Sequence, residues 1–446
     1  MSGLGLPRNG QHARMERAGT IVRVGELLGE GGQAVVHHAT LPNGSAFAMK
    51  WYRPMSARPA QRDAIRALVI TKKPHPAFLW PLDLLLSDEI DGFGFLMPLM
   101  DERFLPVTTL LKSRSQQSFR TLAAIGQDLV DAFGELHKAG GCYRDINFNN
   151  IFADAEARQV AIVDCDNIGL DEGHIAVLGT PRFMAPEIVR GESMPCAATD
   201  LYSLAVMLFF LLMHGHPLDG QRVEASYTWQ GDQHAGNTSL AHLHYGKDPL
   251  FIFDPVDSSN RPLPGSAVNV WWPIYPAFVR ELFTSAFTTG LRGSGLQARV
   301  AAGRWRNAML RLRDAVSSCA NCRAATFYDQ AAPDTPCWNC SFVSPAPWIL
   351  RLEDLSPREM RGATLVLGVD AELTYHHISS NNDHRHLAGK VEVKPGEPQT
   401  LRNLTDRPWT IDPEGEASRV VDPGRRFAIR RMDIDFGTAR GRVTIG

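Results

Sequence analysis

The stretch Tyr143-Arg144-Asp145-Ile146-Asn147-Phe148-Asn149-Asn150 places a carboxylate and, five residues on, an amide between two apolar segments. Asp145 is suited to accept the proton of a hydroxyl group, and the amide oxygen of Asn150 to ligate a divalent cation, a pairing that serves phosphoryl transfer. Asp164 follows directly on the apolar run Val160 to Val163. A charge at the end of a buried strand needs a partner, such as a metal ion. Lys50 ends the apolar stretch Phe47-Ala48-Met49 and is placed to meet a pair of phosphates. Upstream, Gly29, Gly31 and Gly32 form a glycine-rich turn between two strand patterns, where backbone amides can lie over phosphates without side-chain obstruction. Taken singly, each feature also suits a solvated turn or a tight hairpin. Their order along the chain ties them together.

A second constellation lies in the C-terminal third. Cys319 and Cys322, then Cys337 and Cys340, form two Cys-x-x-Cys pairs that enclose fourteen residues, close to the spacing at which four thiolates bind one tetrahedral Zn²⁺. No fifth ligand or acidic base lies near them, so a closed structural site is expected and not a catalytic one. The chain has seven cysteines, an odd number, which fits a reducing cytoplasm with a metal site better than a disulfide framework.

These residues need a scaffold, and at 446 residues the chain is too long for one core, so two or three domains are expected. Residues 20–52 alternate apolar with polar and read as an antiparallel meander, followed by a helical pattern over 56–70 and strand-like runs over 78–100. Leu122, Ile125, Leu129, Phe133 and Leu136 recur at helical spacing, with Gly140 and Gly141 as the stop. Leu204 to Met213 is about half a bilayer span and reads as a buried helix. Residues 216–276 show little periodicity and read as an irregular insertion. The last hundred residues are short alternating runs of an all-β module. Residues 1–19 read as a disordered lead-in without a secretory signal. A formal net charge of −2 with no long block of one sign points away from nucleic acid and anionic membrane.

The order of parts is a glycine-rich loop, a strand lysine, a helix leading into Arg-Asp-x-x-x-x-Asn, a strand ending in Asp, then Ala185-Pro186-Glu187 and a buried helix headed by Thr199-Asp200-Leu201-Tyr202. This order resembles the protein kinase superfamily, specifically the bacterial eukaryotic-like Ser/Thr kinases, over about residues 20–315. The resemblance implies an α+β, bilobal fold with an N-lobe over 20–98 and a C-lobe over 99–315. A zinc ribbon over 316–343 and an all-β module over 344–446, similar to a forkhead-associated sandwich, would follow. It also implies ATP with Mg²⁺ at a hinge near Met97 to Met100. Gly29, Gly31, Gly32, Val36, Ala48, Lys50, Met97 and Met100 would line the nucleotide, and Lys50 would meet its α and β phosphates. Asp145 stands where the catalytic base stands, and Asn150 and Asp164 where magnesium is held. Glu187 would pair with Arg299, Asp200 would brace the catalytic loop, and Trp305 would be core.

The chain also departs from the family pattern. The helix after Lys50 lacks the usual glutamate, and Asp63 is the only acidic residue there to replace it. Tyr143 replaces a histidine and keeps an aromatic residue, whereas Asn147 replaces a lysine, which removes a cation near the transferring phosphoryl group. The Asp-Phe-Gly triplet becomes Asp164-Cys165-Asp166, which loses a mobile glycine. Arg144, which in the family receives an activation-segment phosphate, would pair with Asp171 or Glu172, and Thr180 has the motif position of a substrate-positioning residue. A Ser/Thr protein kinase is therefore expected, with a nucleotide-binding pseudokinase scaffold as the alternative. The domain order further resembles the kinase of tellurium-resistance-associated triads. That implies a cytoplasmic protein with a protein substrate, a von Willebrand factor A partner, a cognate phosphatase, and neither nucleic acid nor membrane as ligand. Arg385 and His386 are the loop residues that would read phosphothreonine if the β module does so.

Overall fold

The computed structural model describes residues 5–112, 117–169, 179–230, 238–353, 363–379, 381, 383–394 and 396–446. The chain divides into two compact units: Met1–Gln116, Asp128–Leu263 and Thr284–Ala302 form the first, and Gln117–Gln127, Pro264–Phe283 and Gly303–Gly446 the second. The second unit therefore takes in three stretches that the sequence places in the C-lobe, 117–127, 264–283 and 303–315.

In the first unit, β1 (His12–Met15), β2 (Ile21–Glu30), β3 (Ala34–Thr40), β4 (Ala46–Tyr52), β5 (Asp83–Leu86) and β6 (Gly94–Pro98) close into a barrel in the order β1-β2-β3-β4-β6-β5. Residues 12–15, inside the segment read from sequence as a lead-in, thus supply a strand that pairs with both β2 and β5. Val22, Val24, Val35, Ala39, Met49, Trp51, Leu85 and Leu96 fill the barrel. Side chains alternate along a strand, so Met49 and Trp51 facing inward turn Ala48, Lys50 and Tyr52 to the opposite face. Gly94 sits across from Trp51. A Cβ there would lie 2.4 Å from the carbonyl oxygen of Lys50, so β4 and β6 approach this closely only because the residue is glycine.

Between β4 and β5 runs α1 (Pro59–Ile70), which buries Ile65 and Leu68. After the barrel come β7 (Leu105–Pro106) and α2 (Val107–Lys112), then α3 (Phe119–Lys138), whose Leu122, Ile125, Leu129, Phe133 and Leu136 are all buried. Gly140 takes φ +80°, and the N–H of Gly141 bonds the carbonyl of Leu136 at 3.0 Å, which ends the helix sharply. The polar loop follows, then the hairpin β8 (Ile151–Asp154) and β9 (Gln159–Ile162), which joins β7 in a three-stranded sheet. Asp128 anchors this hairpin to α3 by accepting the N–H of Val160 at 2.8 Å. Next come the single turn α4 (Pro186–Val189) and α5 (Ala197–Met213), buried along most of its length. Residues 216–276 carry helices at Gln221–Gln230 and Ala267–Trp271 and a π-turn at His242–Lys247. Among the described residues no helix is long and apolar enough to cross a membrane.

In the second unit a hairpin of Val316–Ser318 with Ala325–Phe327 leads from the helix Ala302–Asp314 to the cysteine pairs. A six-stranded and a four-stranded antiparallel sheet follow, and Leu350, Leu373, Leu401, Trp409, Ile411, Phe427 and Ile434 share one core between them. Trp305 is fully buried against Phe283, with ring centroids 4.9 Å apart.

The end of the helix Ala302–Asp314 is tied to the β region through Asp314. His377 Nδ1 accepts the N–H of Thr374 at 3.0 Å. Its proton therefore sits on Nε2, which donates to Asp314 Oδ2 at 3.0 Å. That bond makes the ring a hydrogen-bonded bridge and leaves Nε2 without a lone pair for a metal. His376 stacks on His377 and His384, with centroids 3.7 and 4.4 Å away. Burial first, then its neighbours His377, Arg313 and His384, press the His376 pKa well below the ordinary histidine value. Asp314 is held low because His377 and Arg313 outweigh the opposing effect of its burial, so its contribution to stability is lost only in stronger acid.

A histidine held neutral in the fold takes up a proton on unfolding once the pH drops below about 6.5, so stability falls by up to about 1.4 kcal/mol per pH unit below that point. Thermal unfolding of the second unit's transition should therefore move to lower temperature between about pH 6.5 and 5, and His376→Gln should flatten that slope. A transition independent of pH over this window in the wild type would contradict a buried neutral His376.

Candidate active site

The glycine stop of α3 delivers the chain into the loop of Tyr143 to Asn150, and α5 holds that loop from behind. Asp200, 1% exposed, accepts the N–H of Tyr143 through Oδ2 at 2.7 Å and the N–H of Arg144 through Oδ1 at 2.9 Å. His137 Nε2 reaches the same Oδ2 at 3.0 Å. These bonds fix the backbone where Arg144 takes φ +77°, a left-handed conformation that a side-chain-bearing residue adopts only under such constraint. Tyr143 is buried between Phe133 and Phe78, and its hydroxyl donates to the carbonyl of Val163.

Inside the loop two asparagine side chains are committed to the backbone. Asn147 donates to the carbonyl of Asp145 at 3.1 Å and accepts the N–H of Asn149 at 2.8 Å, so it serves as a loop brace where the family has a lysine. Asn150 Nδ2 donates to the same Asp145 carbonyl at 2.9 Å, which leaves its Oδ1, the metal-ligating type of atom. The N–H of Val163 bonds the carbonyl of Asn150 at 3.0 Å and so brings Asp164 beside Asn150. Thr180 Oγ1 donates to Asp145 Oδ1 at 2.8 Å, so one carboxylate oxygen already accepts a hydroxyl group.

Strand register supplies the opposite wall. Gly29 pairs with Val36, Val36 with Lys50 and Lys50 with Phe95, while Ala48 pairs with Met97. Gly29, Val36, Ala48, Lys50 and Met97 thus lie on one contiguous patch of β2, β3, β4 and β6, with Gly31 and Gly32 in the adjoining turn and Met100 half-buried just past β6. Lys50 Nζ lies 3.1 Å from Asp164 Oδ1, and 2.7 and 2.9 Å from the two oxygens of Asp166. Burial alone would lower the Lys50 pKa, but the two carboxylates outweigh it and hold the ammonium above its ordinary value. Asp164 takes a left-handed conformation at φ 52° and opens a 3-10 turn over Cys165–Asn167. The Tyr52 hydroxyl donates to Asp166 Oδ2, and Gln61 Nε2 donates to the Tyr52 hydroxyl at 3.1 Å and the Asp166 carbonyl at 3.3 Å. Burial, then Asp166, raise the Tyr52 pKa well above normal and keep that hydroxyl a donor.

Asp63, the sequence candidate for the lysine's partner, instead faces solvent and bonds Arg66 at 2.9 Å. Tyr52 and Gln61 were not singled out from sequence, and Asp166 was read there only as the loss of a glycine, although an acid at that position was the available signal. Glu187 and Arg299 form a buried ion pair, with side chains 5% and 2% exposed. Asp171 and Glu172 lie outside the described residues.

Within the second unit, Cys319 Sγ lies 3.6 Å from Cys340 Sγ, and Cys322 Sγ 3.6 Å from Cys337 Sγ. Tetrahedral Zn–S bonds of about 2.3 Å put sulfurs about 3.8 Å apart, so the four thiols fit one zinc ion. Left-handed residues, Arg323 at φ 64° and Ser341 at φ 58°, end the two turns and fold each pair back on itself.

The protein kinase domain family matches residues 22–248, just over half of the 446-residue chain. Protein kinase 2 of Dictyostelium discoideum is 31% identical over 120 residues, covering 26% of this chain and 25% of that protein. The serine/threonine-protein kinase PknK of Mycobacterium bovis is 32% identical over 126 residues, 27% of this chain and 11% of that protein. The serine/threonine-protein kinase PLK4 of Nematostella vectensis is 26% identical over 208 residues, 45% of this chain and 21% of that protein. The chain spans a quarter or less of the length of these relatives. With the strand lysine, the Asp145 loop and the Asp164 turn gathered in the first unit, inside the matched segment, the chain belongs to the protein kinase domain family.

Proposed function

We propose that the chain is a Ser/Thr protein kinase that transfers the γ-phosphate of ATP to a protein hydroxyl. The observation that carries this reading is one connected path of contacts: Lys50 to Asp164 at 3.1 Å, Asp164 through Val163 to Asn150, and Asn150 to the Asp145 carbonyl at 2.9 Å. In this reading Asp145 aligns the acceptor hydroxyl and takes its proton, and Thr180 Oγ1 marks where that hydroxyl approaches. Lys50 orients the α and β phosphates beneath the glycine-rich turn. Asn150 Oδ1 and Asp164 would hold Mg²⁺, which when bound neutralises charge on the phosphates. Asn147 supplies no cation at the transferring group, so a slow enzyme is expected.

We further infer that the four cysteines hold a structural zinc ion, on the strength of their fit to tetrahedral geometry, and that the C-terminal third binds partners in the cytoplasm. The order of kinase, zinc ribbon and forkhead-associated-like β module supports a von Willebrand factor A protein and a cognate phosphatase as those partners. Phosphothreonine reading by Arg385 and His386 has less support. The N–H groups of both residues and the His386 ring bond the Asp383 carboxylate, an anion where a phosphate would have to sit.

Labelled γ-phosphate transfer to dephosphorylated casein should be measurable for the wild type and fall by about 10²- to 10⁴-fold in Asp145→Asn. Equal transfer by both would remove Asp145 from the chemistry, and nucleotide binding without transfer in the wild type would favour the pseudokinase scaffold. For the cysteine cluster, atomic emission of the purified chain should find one zinc per molecule, and Cys319→Ser with Cys337→Ser should lose it. Metal-free protein with an unchanged thermal transition would exclude the zinc reading.

A further inference from the structure

The chain lacks the helix glutamate that in its family holds the strand lysine, and the side chains around Lys50 identify what replaces it. We infer that Asp166 is the positioning residue for Lys50, a role that rests on the kinase reading above. Asp166 grips the ammonium through both oxygens, at 2.7 and 2.9 Å, whereas Asp164 touches it through one, at 3.1 Å. The two carboxylates also differ in surroundings. The Asp166 side chain is 2% exposed and the Asp164 side chain 41%. The exposed one is available to a metal ion, while the buried one stays with the lysine.

The neighbours of Asp166 support the same division of work. Tyr52, on the same face of β4 as Lys50, donates its hydroxyl to Asp166 Oδ2, so the carboxylate is held from two directions. Gln61 of α1 extends toward the same place and donates to the Tyr52 hydroxyl and the Asp166 carbonyl. A glutamine therefore stands on the helix where a carboxylate would compete with Asp166 for Lys50. A second anion there would leave two buried negative charges for one ammonium, which is costly in a low-dielectric site. The acid at 166 and the amide at 61 are a matched exchange of positions.

This exchange changes what positions the lysine. When a helix carries the carboxylate, moving the helix releases the lysine. Here the carboxylate sits two residues from Asp164 in one 3-10 turn, closed by the Ile168 N–H on the Cys165 carbonyl at 3.1 Å. Lysine placement and metal-ligand placement are thus set by one short segment, to which α1 contributes Gln61.

The test uses the full chain, Mg²⁺-ATP and dephosphorylated casein. Asp166→Asn, nearly isosteric, should lower kcat/KM for ATP by about a hundredfold through misplacement of Lys50, with KM for casein unchanged. Adding Gln61→Glu to that variant should recover most of the loss, because it returns the carboxylate from the helix side. A purely packing role for Asp166 would not be rescued in this way. Wild-type kcat/KM in Asp166→Asn, or no gain from Gln61→Glu in a folded double variant, overturns the proposal. If Asp166→Asn fails to fold, Asp166→Glu takes its place: a reduced kcat/KM supports the proposal and an unchanged one defeats it. If the wild type transfers no phosphate, the kinase reading fails, and acylation of Lys50 by N-hydroxysuccinimidyl acetate, followed by peptide mass spectrometry, decides the remainder. Faster labelling in Asp166→Asn supports the Lys50–Asp166 assignment, and equal labelling overturns it.

Discussion

Taking an ammonium group out of water is expensive unless anions meet it, and the first unit is arranged around that demand at Lys50. The barrel fixes where Lys50 emerges, because Met49 and Trp51 face the barrel core and Gly94 lets β6 close against β4. The turn after β9 then presents Asp164 and Asp166 to the ammonium. The left-handed backbone of Asp164, a conformation that costs on the order of 1–3 kcal/mol, persists because these ion pairs and the closed 3-10 turn hold it.

The loop of Asp145 obeys the complementary rule, that buried backbone groups need partners. Asp200 accepts two successive N–H groups from the loop, and Asn147 and Asn150 both bond the Asp145 carbonyl, so the backbone that presents the Asp145 carboxylate is held on both sides. The side chains of Asn147 and Asn150 are the hydrogen-bonding frame of that loop: Asn147 bonds the backbone on both sides of itself, and Asn150 spends its amide N–H on the Asp145 carbonyl.

The second unit uses other means to the same end. Its strands are short, and its two sheets bury a common core around Trp409, whose ring lies 4.9 Å from Phe436. In the cysteine turns, close sulfur contacts and left-handed turn residues hold the backbone. The Asp314–His377 bridge links the end of a helix to the β region by a bond whose proton position follows from the Thr374 N–H.

The sequence alone determined the parts whose physics is local. Helical spacing marked α3 and its glycine stop, alternation marked β2 to β4, the order of Gly29, Lys50, Asp145, Asn150 and Asp164 marked the candidate site, and the Cys-x-x-Cys spacing marked the sulfur cluster. Closure of the strands into a barrel with a strand from residues 12–15 was not legible, since pairing partners far apart in sequence leave no local pattern. The division into units was hidden for the same reason: Phe119, Tyr275 and Phe327 meet only through folding. The partner of Lys50 was decided by tertiary structure as well. Asp63 lies thirteen residues from Lys50 but on the solvent face of its helix, whereas Asp166, 116 residues away, arrives where the ammonium is buried. Sequence can state which charges a chain carries, but burial selects which of them must meet.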